Sequence, residues 1–178
     1  MGSIADGEIR AFLRKLGERY PKSATLYLLG GGALCLLGSP RRTVDIDYAV
    51  EAPAGQTEEL VAMIETLANE LRLEMEIVPI EEFIPLPAGA GARHQRVGQF
   101  GNLAVYIYDP YSIALSKVAR GFEADLQDVL FLLRQGIINL DQLSQVAEAA
   151  LPAAWDFDID PADLRLYMSE IQRLFTTH

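Results

Sequence analysis

The chain has 178 residues, 15 basic against 25 acidic, for a formal net charge of −10, and half of its residues are hydrophobic. That length and apolar content describe a folded protein with one core, or one core and a small appendage, and argue against disorder as its main state. The surplus of acid argues against a protein that coats nucleic acid or an anionic membrane, while leaving room for a small basic pocket.

A lone cysteine, Cys35, sits in an apolar run and can form neither an internal disulfide nor a cysteine-based metal site. Glu8, Arg10, Arg14 and Lys15 interrupt the opening segment, so no signal peptide is expected. The most apolar stretch, residues 26–37, is too short to cross a bilayer and contains three glycines. The expectation is a cytoplasmic protein in a reducing compartment, with no membrane partner.

Ile9, Phe12, Leu13 and Leu16 recur at helical spacing and predict a first helix ending near Gly17. Residues 25–29 read as a strand, Gly30-Gly31-Gly32 as a turn, and residues 33–37 as a short helix. Val44, Ile46, Tyr48 and Val50 alternate with Asp45, Asp47 and Ala49, a strand with one apolar face and one acidic edge. A helix over 57–71 carries Leu60, Ile64, Leu67, Ala68 and Leu71 on one stripe and leads into a strand at 73–78. Periodicity is lost from Pro79 to Gly98, a stretch whose Arg93, His94 and Arg96 suggest a basic flap. A strand over 102–108 pairs with residues near Gln99 through a Gly101-Asn102 turn. Helices then follow, opened by Asp109-Pro110, Phe122, Asn139 with Gln142, and Asp160-Pro161. The expected fold is α/β (α+β), a small mixed sheet with helices over residues 1–108 and a helical portion, 109–178, packed on it.

The segment from Leu29 to Tyr48 carries the chemistry. Strand residues two apart share a face, about 6.5 to 7 Å apart, so Asp45 and Asp47 present two carboxylates together. Two such anions repel unless water or a divalent cation offsets them, and Mg²⁺ prefers carboxylate and phosphate oxygens. Backbone N–H groups at the glycines could approach a phosphate on the same sheet edge. Together these suit phosphoryl or nucleotidyl transfer.

Gly30-Gly31-Gly32-Ala33 followed by Arg42-Thr43-Val44-Asp45-Ile46-Asp47 resembles the signature of the nucleotidyltransferase superfamily, the DNA polymerase β-like fold, and within it the AbiEii/MenT-type branch. Lys117-Val-Ala-Arg120 and Asp125-Leu-Gln-Asp128 match a second motif of that group in the expected order. The resemblance implies that Asp45 and Asp47 bind Mg²⁺, that Gly30, Gly31 and Gly32 hold phosphate with Arg42 and Thr43 beside them, and that Lys117 contacts the triphosphate of an NTP. Arg120 and Asp125 complete the site. It further implies nucleotidyl transfer to a hydroxyl acceptor (tRNA, protein or small molecule) and a toxin–antitoxin setting with an antitoxin partner.

Two departures from the pattern stand out. The glycine turn lacks the serine whose hydroxyl contacts phosphate in many active members, and the third carboxylate of polymerase-like enzymes has to come from Glu74 or Glu76, of which Glu76 is preferred. Without it the fold would serve as a non-catalytic nucleotide-binding module. A dinucleotide-binding oxidoreductase is the remaining alternative, disfavoured because Cys35 stands where Gly-x-Gly-x-x-Gly needs its last glycine.

Overall fold

The computed structural model describes residues 3–177 and divides into two units, one formed by residues up to Val78 with Gln95–Tyr108, the other by Pro79–His94 with the residues from Asp109 onward. Five strands form one mixed sheet, and seven α-helices are present among the described residues.

The first unit begins with α1 (Asp6–Arg19), whose Ile9, Phe12, Leu13 and Leu16 are buried. The helix continues past Gly17, where the periodicity predicts its end. Gly17 answers a packing need instead, because a Cβ there would overlap the Phe100 carbonyl. Strand β1 (Ala24–Leu28) leads into α2 (Gly30–Leu36). The three glycines therefore form the first turn of that helix and are not a separate turn before it. Strand β2 (Asp45–Glu51), helix α3 (Thr57–Leu71) and strand β3 (Glu74–Ile77) follow, then β4 (Gln95–Phe100) and β5 (Leu103–Ile107) as a hairpin.

Strand order is β3-β2-β1-β5-β4. The β1–β2 and β4–β5 pairs run antiparallel, and β1–β5 and β2–β3 run parallel. One face buries Leu26, Leu28, Ile46, Tyr48, Leu103, Val105 and Ile107. The alternate positions Thr25, Tyr27, Asp45, Asp47, Ala104 and Tyr106 are only half-buried. Helices α1 and α3 touch each other and reach β4 and β3 respectively. Each large apolar side chain sealed in this layer contributes about 1.5 to 3 kcal/mol.

Two more sequence expectations need correction in this unit. Val44 precedes β2 and is 63% exposed, so it takes no part in the apolar face. Strand β4 starts at Gln95, inside the stretch expected to be loop. A register shift between Arg96 and Gly98 breaks its two-residue period, which hides it from pattern reading.

In the second unit, short 3-10 turns at Ile80–Glu82 and Ala90–Arg93 bury Ile80 and Ala90. Helices α4 (Pro110–Arg120), α5 (Glu123–Arg134), α6 (Leu140–Ala150) and α7 (Pro161–Thr176) follow, with a 3-10 segment at Leu151–Phe157. Asp109, Asn139 and Asp160 cap α4, α6 and α7 with their side chains, as their sequence positions predict. Helix α4 contacts α5, α6 and α7. No described helix is long and apolar enough to cross a membrane.

Candidate functional site

Burial of Ile46 and Tyr48 on one side of β2 forces Asp45 and Asp47 onto the other. Strand β3 lies parallel to it with Glu76 opposite Asp47 and Glu74 opposite Asp45. One carboxylate oxygen from each of Asp45, Asp47 and Glu76 lies within 4.8 Å of the other two. Among the described residues this is the one cluster of three or more such ligand groups. Three carboxylates this close repel one another unless a cation joins them, and an all-oxygen donor set suits a hard cation such as Mg²⁺. An open cleft of about 480 Å³ adjoins them, lined by Asp45, Glu65, Asn69, Glu74 and Glu76 among others.

The glycines fit α2 tightly against this strand. Gly30 has φ +54°, and a Cβ there would overlap Asp47 Oδ2. At Gly31 a Cβ would overlap Thr43 Oγ1 and stand 2.8 Å from the Thr43 Cβ. A Cβ at Gly32 would stand 3.3 Å from Ile46 Cγ2. Leu29 N–H donates to the Asp47 carbonyl at 3.0 Å, which fixes the start of α2 beside β2. Because β1 and β2 are antiparallel, the glycines do not belong to a parallel βαβ unit, and the dinucleotide-binding arrangement is absent here.

Thr43 is buried, with 8% of its surface exposed. Its hydroxyl donates to Asp45 Oδ1 at 3.2 Å. Its backbone is tied to Ile4, Ile4 N–H donating to the Thr43 carbonyl at 2.7 Å and Thr43 N–H to the Ile4 carbonyl at 3.2 Å. The Arg42 guanidinium is turned to the Ser3 carbonyl, 2.7 Å away, and Glu8, 3.5 Å away.

Lys117, Arg120 and Asp125 belong to the helical unit, where they bind one another. Lys117 Nζ donates to Asp128 Oδ2 at 2.8 Å and Asp125 Oδ1 at 3.3 Å, and Arg120 Nη2 reaches the same Asp125 oxygen at 2.6 Å. Lys117, Asp125 and Asp128 are all buried. Asp128, to which the sequence motif assigns no role, is the nearer carboxylate to Lys117. Its spacing of three from Asp125 puts both carboxylates on one face of α5. Arg93 is likewise engaged, donating through Nε and Nη2 to the two Asp109 oxygens at 2.8 Å, and Asp109 N–H donates to His94 Nδ1 at 3.0 Å. The carboxylate beside it raises the Arg93 guanidinium above its ordinary pKa.

On the sheet face of Asp47, Tyr27 pairs in register with Ala49, and its hydroxyl donates to Glu51 at 3.0 Å. Burial first, then that hydrogen bond, pushes the Tyr27 phenol up to about 12. Tyr48, on the opposite face, is also pushed up to about 12, chiefly by burial and then by the charge of Glu65.

No curated protein and no solved structure matches the chain. A family model described as "Nucleotidyltransferase of unknown function (DUF6036)" matches residues 7–172. The match takes in both units, the acidic strand pair and the Lys117 cluster, and the chain belongs to this family of nucleotidyltransferases.

Proposed function

We propose that the protein transfers a nucleotidyl group from an NTP to a hydroxyl acceptor, with Mg²⁺ held by Asp45, Asp47 and Glu76. The observation that carries this reading is the convergence of the three carboxylates on adjacent strands, within 4.8 Å. It supplies a third carboxylate and so favours an enzyme over a non-catalytic nucleotide-binding module. In the reaction the acceptor oxygen attacks the α-phosphorus, the bond to the β-phosphate oxygen breaks, and pyrophosphate leaves. A cation bound by these carboxylates would offset the charge of the triphosphate and of the departing pyrophosphate.

Glu76, the exposed member of the triad, is assigned to accept the proton of the attacking hydroxyl. Gly30, Gly31 and Gly32, which seat α2 against β2, are assigned to the phosphate side of the pocket on the resemblance. Thr43 and Arg42, which precede Asp45 in the motif, are assigned to the same pocket on the resemblance. The resemblance also implies a nucleotide contact for Lys117, Arg120 and Asp125; their mutual ion pairs support a structural role within the helical unit. The net charge favours a protein or small-molecule acceptor over tRNA. The AbiEii/MenT-type likeness carries the proposal of a toxin with an antitoxin partner.

The test incubates the full chain with Mg²⁺, each labelled NTP in turn, and cell extract, beside the Asp45→Ala/Asp47→Ala variant. Label transfer is expected to fall by about 100-fold or more in the variant and on chelation with EDTA. Equal labelling by both proteins overturns the assignment.

A further inference from the structure

We propose that Thr43 is a positioning residue for the cation site, its hydroxyl fixing the Asp45 carboxylate, and that position 31 is glycine to leave that hydroxyl its space. The inference rests on the cation reading above and concerns how the chain builds that site. A carboxylate on a strand keeps a soft terminal torsion. Asp45 is only half-buried, so packing alone does not orient it. The Thr43 hydroxyl, 3.2 Å from Oδ1, supplies the restraint. Thr43 itself cannot swing away. Its backbone is bonded in both directions to Ile4, and it is 8% exposed.

Gly31 faces Thr43 from α2. Its φ is not in the left-handed region, so backbone conformation does not demand glycine there. Space demands it, because a Cβ would stand 2.4 Å from Thr43 Oγ1 and 2.8 Å from the Thr43 Cβ. A hydroxyl has one proton to donate. Given to Asp45, it orients a cation ligand and leaves the hydroxyl only lone pairs toward any third group. Gly30 plays the corresponding part for Asp47, whose Oδ2 occupies the volume a Cβ would need. Adjacent glycines each make room for one arm of the acidic pair.

The test titrates Mn²⁺ into the full chain, followed by calorimetry and by electron paramagnetic resonance of free Mn²⁺. Wild type, Thr43→Ser, Thr43→Val, Gly31→Ala and Asp45→Asn are compared, with a melting curve for each. Loss of an outer partner of a metal ligand costs about 10- to 100-fold in affinity. That loss is expected for Thr43→Val and Gly31→Ala, while Thr43→Ser stays within about threefold of wild type. If Thr43→Val does not fold, Thr43→Ala takes its place in the same comparison with Thr43→Ser. Wild-type binding with unchanged affinity in Thr43→Val, or equal losses in Thr43→Ser and Thr43→Val, overturns the inference and leaves the cation site standing. Absence of Mn²⁺ binding in wild type, or binding equal to that of Asp45→Asn, overturns the cation reading and this inference with it.

Discussion

At the residue scale, the chemistry of the sheet is set by which ionisable groups share a face. Asp45, Asp47 and Glu76 crowd negative charge onto one side. Tyr27 on that side and Tyr48 on the other are both held un-ionised well beyond the ordinary phenol range, each pushed up to about 12. A phenol whose pKa is raised by folding stabilises the native state fully below its unfolded value near 10. The contribution is lost as pH climbs toward 12, because the unfolded chain ionises first. Urea unfolding between pH 9 and 12 is therefore expected to show a midpoint that falls over that window. The fall becomes shallower in Tyr27→Phe and in Tyr48→Phe. The acidic pair and its glycines were legible in the sequence because strand alternation fixes faces. The Thr43–Asp45 hydrogen bond was not, since it depends on a rotamer and on the approach of α2.

At the element scale, α4 and α5 are joined by a buried ionic clamp, Lys117 with Asp125 and Asp128. Removing one partner of such a group leaves charge uncompensated in the interior, at a cost of about 3 to 5 kcal/mol. Lys117→Met is expected to lose about that much in denaturant unfolding. The triple change Lys117→Met/Asp125→Leu/Asp128→Leu should recover most of it. A full loss persisting in the triple variant would show that the clamp is not the cause. Helix α3 is bounded in the structure as its pattern predicts, at Thr57–Leu71, because an uninterrupted amphipathic stripe defines both ends. Helix α1 outran its predicted stop because glycine can serve close packing as well as termination, and only the position of Phe100 distinguishes the two. Strand β4 shows in the sequence only near Gln99, where its hairpin with β5 is expected, because its irregular register erases alternation toward Gln95.

At the scale of the whole molecule, the chain leaves the sheet unit after Val78, contributes residues 79–94 to the helical unit, and returns for the β4–β5 hairpin. The lost periodicity of 79–94 was visible in the sequence. Its anchoring was not, since Arg93 and His94 find their partner in Asp109, fifteen or more residues ahead. A chain ended after Tyr108 would keep Ile80, Ile84 and Ala90 without the helices of their own unit. Its heat unfolding is expected to lose cooperativity and its bis-ANS fluorescence to rise above that of the full chain. A sharp, reversible transition for the shortened chain would count against this partition. The path also sets an order of events during synthesis. All three carboxylates have emerged by residue 76, yet β1, the central strand, gains its second neighbour only with residues 103–107. Contacts separated by some eighty residues close slowly. The nascent chain thus carries all three carboxylates well before the sheet that brings them together is finished.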